Sequence, residues 1–362
     1  MRIALVGATG YGGSEALRLL RARTDIELVW VGSDRLAGRK VGDELPQFGT
    51  SHIGELRFSP LAELRLMQDI DIVLLALPHG EARIWAPQLL ARGLRVIDFS
   101  GDYRLPDAMY AQWYGKELPE DRVAQSAVYG LPELYREEIR TASLVANPGC
   151  YATCAELALL PLVEAGLVDD SRLVIDAKSG VSGAGKAPSS GTHFVEVQES
   201  VRAYKVGAHQ HTPEIEQVLA DGRRRRRGQR ANEGVGEEIT TREVRVMLTT
   251  QLLPIKRGIY VTAYASLGTT MSGQELQEVY RERYDREPFV QVLQPGVIPE
   301  IRYTVGTNLC QIGVHVDQRT QTALVMATID NLGKGAAGQA LQNLNLMMGL
   351  PEDTGLRIEP WV

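Results

Sequence analysis

A two-domain α/β protein is predicted by this sequence: an N-terminal doubly wound parallel sheet, then an α+β domain on a mostly antiparallel sheet. Three observations predict it. At 362 residues the chain exceeds one average domain and can bury two cores. Its N-terminal part separates runs that are apolar on both faces by helical patterns, as a parallel sheet covered on both sides requires. Beyond Cys150 the segments become longer, with alternating or β-branched residues, as expected of an antiparallel sheet with one face on helices.

The elements follow in order. Arg2–Val6 reads as a strand, Gly7–Gly13 as a glycine-rich turn, Ser14–Arg23 as a helix and Glu27–Gly32 as a second strand. Asp71–Leu77 and Leu94–Phe99 are apolar runs with a helical pattern over Glu81–Arg92 between them. At Cys150 a long apolar helix pattern begins (Ala155, Leu157, Leu159, Leu160, Leu162). Strands are expected over Arg172–Ala177, Thr241–Leu253, Gly258–Leu267, Asn308–Val316 and Ala323–Ile329. A helix over Gly335–Met348 is expected to pack back on the first domain. The domains are therefore 1–149, completed by a C-terminal helix within 331–362, and 150–330.

Composition excludes several classes. Apolar content of 44% and charged content of 23% are ordinary for a globular protein, and no apolar run approaches the length of a membrane helix. The strand begins directly after Met1, which leaves no room for a secretion signal. Three cysteines, Cys150, Cys154 and Cys310, show no metal-ligand pairing and suit a reducing compartment. A cytoplasmic protein without metal or membrane contact is expected. The net charge of −6 conceals five consecutive arginines, Arg223 to Arg227; their flanking glycines and the polar stretch to Glu238 read as a solvated loop, and the otherwise acidic balance argues against nucleic acid.

Gly7-Ala8-Thr9-Gly10-Tyr11-Gly12-Gly13 lies between a strand and a helix, the context of a Rossmann-type dinucleotide site. Glycines there let the backbone approach a pyrophosphate, and the helix N-terminus supplies N–H donors. Gly7, Thr9, Gly10, Tyr11 and Gly12 are candidate cofactor contacts. Near the end of the second strand Ser33 and Arg35 suit the 2′-phosphate of NADP(H), whereas Asp34 between them is the residue type that holds the ribose of NAD; Arg39 and Lys40 add cationic character and favour NADP(H).

Asn147-Pro148-Gly149-Cys150-Tyr151 places a thiol where a helix starts, among backbone N–H groups that favour the nucleophilic thiolate. Cys150 is the candidate nucleophile; the alternative is a buried structural cysteine. Cys154, one turn on, reads as packing. A dinucleotide fold joined to a nucleophilic cysteine implies aldehyde or acyl-group oxidoreduction, which also needs a proton donor. His209 and His211 alternate just before a helix that Pro213 is expected to start, so in an extended segment both point the same way. Asp176 to Lys186, a glycine, serine and lysine loop after a strand, has the chemistry to hold an anion.

Eight blocks carry a resemblance that runs nearly end to end: 7–13, Ala-Leu-Pro-His-Gly at 76–80, 98–105, Asn-Pro-Gly-Cys-Tyr at 147–151, 177–186, His-Gln-His-Thr-Pro-Glu at 209–214, 253–258 and 331–340. In this family order they resemble N-acetyl-gamma-glutamyl-phosphate reductases, members of the semialdehyde dehydrogenase superfamily. The resemblance implies NADPH-dependent reductive dephosphorylation of N-acetylglutamyl 5-phosphate to the 5-semialdehyde in arginine biosynthesis, through a thioester on Cys150 with His209 as general acid/base. It further implies cofactor contacts from Pro78, Ser182 and Asn331, and substrate contacts from Asn147, Ser179, Gly180, His211, Glu214 and Arg257. A homodimer or homotetramer built through the β-rich domain is the implied assembly. The rival readings are an aminoadipyl-phosphate reductase acting on a carrier protein through the arginine loop, an aspartate-semialdehyde dehydrogenase, and a non-catalytic NADP-binding regulator.

Overall fold

The computed structural model describes residues 1–116, 126–232, 243–356 and 359–360. Two compact units divide the chain, Met1–Gly149 with Ala336–Ile358, and Cys150–Gly335 with Glu359–Val362.

The first unit runs β1 (Arg2–Val6), α1 (Tyr11–Leu20), β2 (Glu27–Gly32), α2 (Val41–Glu44), α3 (His52–Glu55), β3 (Phe58–Ser59), β4 (Ile72–Leu75), α4 (Ala82–Leu90), β5 (Arg95–Asp98), α5 (Asp107–Tyr114), β6 (Val128–Tyr129), α6 (Pro132–Thr141) and β7 (Leu144–Ala146). All pairings are parallel, in the order β3-β2-β1-β4-β5-β7-β6. β1 lies between β2 and β4, with Ile3 opposite Ile72 and Val6 opposite Leu75. The strand order reverses there, so the ends of β1 and β4 flank the crevice where doubly wound sheets bind ligands. Strands buried on both faces account for their unbroken apolar sequences: Ile72 to Leu75 are all buried, and Val73 and Leu75 pack with Trp85, Ala86 and Leu89 of α4.

Two boundaries differ from the periodicity. The first helix begins at Tyr11, ahead of Ser14, because Gly10 is extended (φ −71°, ψ 165°) and caps it, and it ends at Leu20. Gly7 explains the turn: its φ is +83°, and a Cβ there would lie 2.1 Å from the Ala76 carbonyl oxygen, where no side chain fits.

The second unit contains α7 (Cys150–Glu164), β8 (Leu173–Gly180), α8 (Phe194–Val197), β9 (Arg202–Tyr204), α9 (His211–Asn232), β10 (Val246–Leu253), β11 (Ile259–Ser266), α10 (Gly273–Tyr284), β12 (Val290–Val292), β13 (Cys310–Asp317) and β14 (Thr322–Ile329). A π-turn over Gly333–Ala337 follows, and α11 (Gly338–Met347) lies within the first unit, where it packs on α6, α1 and β5. The second sheet has the order β12-β13-β14-β11-β8-β10-β9, antiparallel except for β8 with β10 and β12 with β13.

α7 is buried from Tyr151 through Val163, packed between β11 and β14 on one side and α9 and α10 on the others, which is why its sequence is apolar all round. Pro161 interrupts its hydrogen bonding, since it has no N–H for the Leu157 carbonyl four residues back. The Tyr284 hydroxyl of α10 supplies the missing donor at 2.6 Å, and Tyr280 donates to the neighbouring Ala158 carbonyl. α10 is therefore the repair of a helix that its own sequence breaks.

Two expectations fail here. The arginines 223–227 lie within α9 and not in a loop, because arginine is a good helix former and Gly222 is a contact point: a Cβ there would come 2.6 Å from Leu160 Cδ2 of α7. Arg223 pairs with Asp170, and Arg224 and Arg225 with Asp221; residues 233–238 of the expected loop lie outside the described residues. Ser179 and Gly180, expected in a loop, are the last residues of β8, which pairs with β10 and β11 to its end. Among the described residues no helix is long and apolar enough to cross a membrane.

The repair predicts an asymmetry. Tyr284→Phe should lower stability by about 1–3 kcal/mol because Leu157 is left with no donor, whereas Tyr280→Phe should cost about 1 kcal/mol or less because Leu162 has an N–H for Ala158. Equal losses in chemical denaturation would refute the assignment.

Candidate functional site

The first unit holds a nucleotide-binding turn. β1 delivers Gly7 to the crevice, the Gly10 N–H closes the turn on the Gly7 carbonyl at 3.1 Å, and α1 starts with no side chain capping it. Its N-terminal N–H groups and positive end are thus presented at the turn that carries Thr9, Tyr11 and Gly12. Gly13 lets the helix approach: a Cβ would sit 2.3 Å from the Gly7 carbonyl oxygen. Pro78 is exposed just past β4, at the same edge of the sheet.

Past β2, the three residues that left NAD and NADP open resolve differently. Asp34 accepts the Leu61 backbone N–H at 2.7 Å, so one carboxylate oxygen caps the turn after β3. Arg39 is paired with Glu44 and Lys40 with Glu55. Arg35 is exposed and engages no partner among the described residues, beside the half-buried Ser33. This donor set fits a dinucleotide carrying a 2′-phosphate.

In the second unit, Cys150 is the first residue of α7, half-buried, and none of the three cysteines is in a disulfide. Gly335 lies against it, since a Cβ there would come 2.9 Å from Cys150 Cβ. The Tyr151 hydroxyl donates to the Gln251 carbonyl and receives the Tyr204 hydroxyl, both at 3.1 Å. Burial pushes both phenols up, Tyr204 to about 12, and the charge of a Cys150 thiolate adds to this. The tyrosines therefore stay protonated and act as donors. Cys154 is fully buried against Cys310, which pushes its thiol well up and leaves it a packing residue.

His209 is enclosed by aromatic edges: its ring lies 5.4 Å from Tyr151, 5.8 Å from Tyr204 and 4.6 Å from His211. Its Nδ1 accepts the His211 backbone N–H at 3.1 Å, so the neutral ring carries its proton on Nε2. Burial lowers its pKa to about 2, with His211 and Lys205 acting in the same direction and Glu214, fully buried in the first turn of α9, opposing them. His209 is a neutral imidazole with a donor at Nε2.

Four of the expected ligands, Arg257, Asn331, Ser182 and Asn147, make hydrogen bonds within the protein. Arg257 is buried in a bidentate pair with Asp330, Nε to Oδ1 at 3.0 Å and Nη2 to Oδ2 at 2.7 Å. Asn331 donates to Ser182 Oγ at 2.9 Å and accepts the Gly258 N–H at 2.8 Å, so Asn331 and Ser182 serve each other. In the first unit the Asn147 amide accepts from Asn343 and donates to the Ala336 carbonyl, holding the chain just before Cys150. Gly180 is packed on the backbone of Arg257, and Ser179 donates to the Gly180 carbonyl. His211 and Glu214 remain beside His209.

Sequence reasoning missed Tyr204, Lys205 and Asp330. Asp330 is fully buried and also accepts the Gly306 and Leu332 N–H groups, while its own carbonyl accepts the Gly335 N–H beside Cys150. An aspartate directly after a β-branched strand, with its partner 73 positions away, carries no local signal.

Comparison with known proteins agrees with both halves. Residues 2–142 match the semialdehyde dehydrogenase NAD-binding domain, and residues 150–331 the semialdehyde dehydrogenase dimerisation domain. N-acetyl-gamma-glutamyl-phosphate reductase from Pelotomaculum thermopropionicum is 45% identical over 98% of this chain and 97% of its own, and that from Geobacillus stearothermophilus 44% identical over 99% of both. Among solved structures, an aspartate semialdehyde dehydrogenase II from Vibrio cholerae shares the fold with a TM-score of 0.69 at 18% identity, covering 96% of this chain and 98% of that one. With such identity sustained over nearly its full length, the chain belongs to the N-acetyl-gamma-glutamyl-phosphate reductase family of the semialdehyde dehydrogenases.

Proposed function

We propose that the protein reduces N-acetyl-L-glutamyl 5-phosphate to N-acetyl-L-glutamate 5-semialdehyde in arginine biosynthesis, with NADPH as reductant and Cys150 as nucleophile. The observation that carries the reading is the thiol at the start of the buried helix α7, beside Tyr151, whose ring packs against the locked imidazole of His209, in a chain whose curated relatives are named for this reaction. Gly7, Gly10 and the α1 N-terminus would hold the pyrophosphate, and Ser33 with Arg35 the 2′-phosphate. NADPH, when bound, supplies the hydride.

The α7 N-terminus favours the Cys150 thiolate electrostatically. The sulfur attacks the acyl carbon, the S–C bond forms and the C–O bond to phosphate breaks, leaving a thioester on Cys150. After reduction, the hemithioacetal oxyanion expels the thiolate as the C–S bond breaks, which releases the aldehyde; the proton consumed overall ends on phosphate. His209, with Nδ1 already accepting, donates from Nε2 to the carbonyl oxygen at both tetrahedral stages. It stabilises charge and does not deprotonate the thiol. The carrier-protein alternative is weakened, since Asp170 and Asp221 pair with three of the five arginines, Arg223, Arg224 and Arg225, on α9. A biosynthetic role and the absence of disulfides among the three cysteines support a cytoplasmic setting.

The open face of the second sheet supports a homodimer. Met247, Val174, Tyr264, Leu324 and His315 form one row across five strands by direct pairing, with Met247 67% and Tyr264 38% exposed. A row this apolar on an uncovered face suits a second copy of the same sheet.

Three outcomes are expected. Wild-type protein given phosphate, N-acetylglutamate semialdehyde and NADP+ should form NADPH, and should acquire an acyl adduct detectable by mass when given acyl phosphate without reductant; Cys150→Ser should lose both, and turnover or adduct in that variant would defeat the mechanism. The His209 ring protons should show no titration by NMR between about pH 4 and 8, because burial disfavours the imidazolium, and His209→Asn should reduce kcat by about 10²- to 10³-fold; a midpoint near the ordinary histidine value would contradict the neutral donor. Tyr264→Asp should shift the mass in solution by light scattering to that of a monomer, and an unchanged assembly would move the interface elsewhere.

A further inference from the structure

We propose that Lys205 is the phosphate-binding cation of the second unit, its ammonium receiving the phosphoryl group of the acyl phosphate that Cys150 attacks; the assignment rests on the reductive-dephosphorylation reading above. Lys205 is one of four non-glycine residues with positive φ among the described residues, and the one that lies between Tyr204 and His209. Lys205 follows β9 with φ +47°, in the left-handed region that a residue with a side chain occupies at a cost and glycine occupies freely. It opens a tight turn, closed by the Ala208 N–H on the Lys205 carbonyl at 2.9 Å, that leads from Tyr204 to His209. A lysine held in a glycine conformation between two residues of the thiol cluster points to a role for its side chain.

The side chain is placed for that role. Nζ donates to Gln210 Oε1 at 2.7 Å, which uses one of three ammonium donors and anchors the charge on the residue between the two histidines, while Lys205 as a whole stays exposed. Its proximity to the imidazole also registers in the lowered proton affinity of His209. α9, which runs from His211 to Asn232, begins three residues after this turn, which brings the positive end of the helix close in sequence. Two other cations that the sequence offered are held in ion pairs, Arg257 by Asp330 and Lys178 by Asp176. As sulfur bonds to the acyl carbon and the C–O bond breaks, the electron pair passes to the phosphate oxygen. A cation beside the His209 donor meets that charge on the bound substrate and on the leaving group.

The test is the reverse reaction of the full chain, in which phosphate, semialdehyde and NADP+ each have their own KM. Lys205→Met and Lys205→Gly should raise the KM for inorganic phosphate about 10- to 100-fold, the effect of losing one charge-assisted hydrogen bond, with the other two KM values within about twofold and Lys205→Arg recovering most of the loss. Lys205→Gly suits the backbone, so it should fold with an unchanged or higher Tm. An unchanged phosphate KM in either folded variant would overturn the proposal. So would a rise confined to the semialdehyde KM, which would give the cation to the substrate carboxylate. Absence of phosphate-dependent NADPH formation by the wild type would instead remove the reading on which the proposal rests.

Discussion

The burial of α7 is the constraint on which the second unit depends. A helix whose residues from Tyr151 to Val163 are all inaccessible to solvent cannot slide or tilt without opening a cavity on several sides at once. Its first residue is Cys150, so the backbone that carries the thiol has a fixed position. The break at Pro161 would compromise this if the Leu157 carbonyl were left without a donor. A tyrosine hydroxyl from α10 closes the gap.

A second level of order is built at the end of β14. Asp330 and Asn331 collect backbone N–H groups from residues 258, 306, 332 and 335, and Asp330 binds the guanidinium of Arg257. Turns that approach from separate strands are thereby fixed to one dipeptide, and one of them bears Gly335, which lies against Cys150. A buried ion pair of this kind contributes definition more than net stability, because both ions are desolvated; removing either alone would strand the other.

Much of this was legible in the sequence, for identifiable reasons. Hydrophobic runs and alternation reflect burial on two faces or one, so β1, β2 and β4 and the later strands β11, β13 and β14 are placed to within a few residues. The glycine turn and the thiol at a helix start are local patterns and were equally readable. Partners distant in sequence were not. The pairing of Arg257 with Asp330, the hold of Asn343 on Asn147 and the Leu61 N–H on Asp34 each join residues far apart in the chain. The arginine run was misread because its flanking Gly222, ordinarily a breaker, marks where α9 touches α7. No periodicity encodes which nitrogen of His209 bears the proton.

The hydrogen bond from the His211 amide to His209 Nδ1 has one more consequence. That amide belongs to the first residue of α9 and has no carbonyl partner within the helix, so the imidazole does what a serine or aspartate side chain does at other helix starts. Helix capping and tautomer selection are therefore the same bond. Loading a second proton onto the ring would convert acceptor to donor and turn two N–H groups against each other, so α9 would begin to fray at the moment the imidazole became an acid. The fold in this way favours the neutral imidazole.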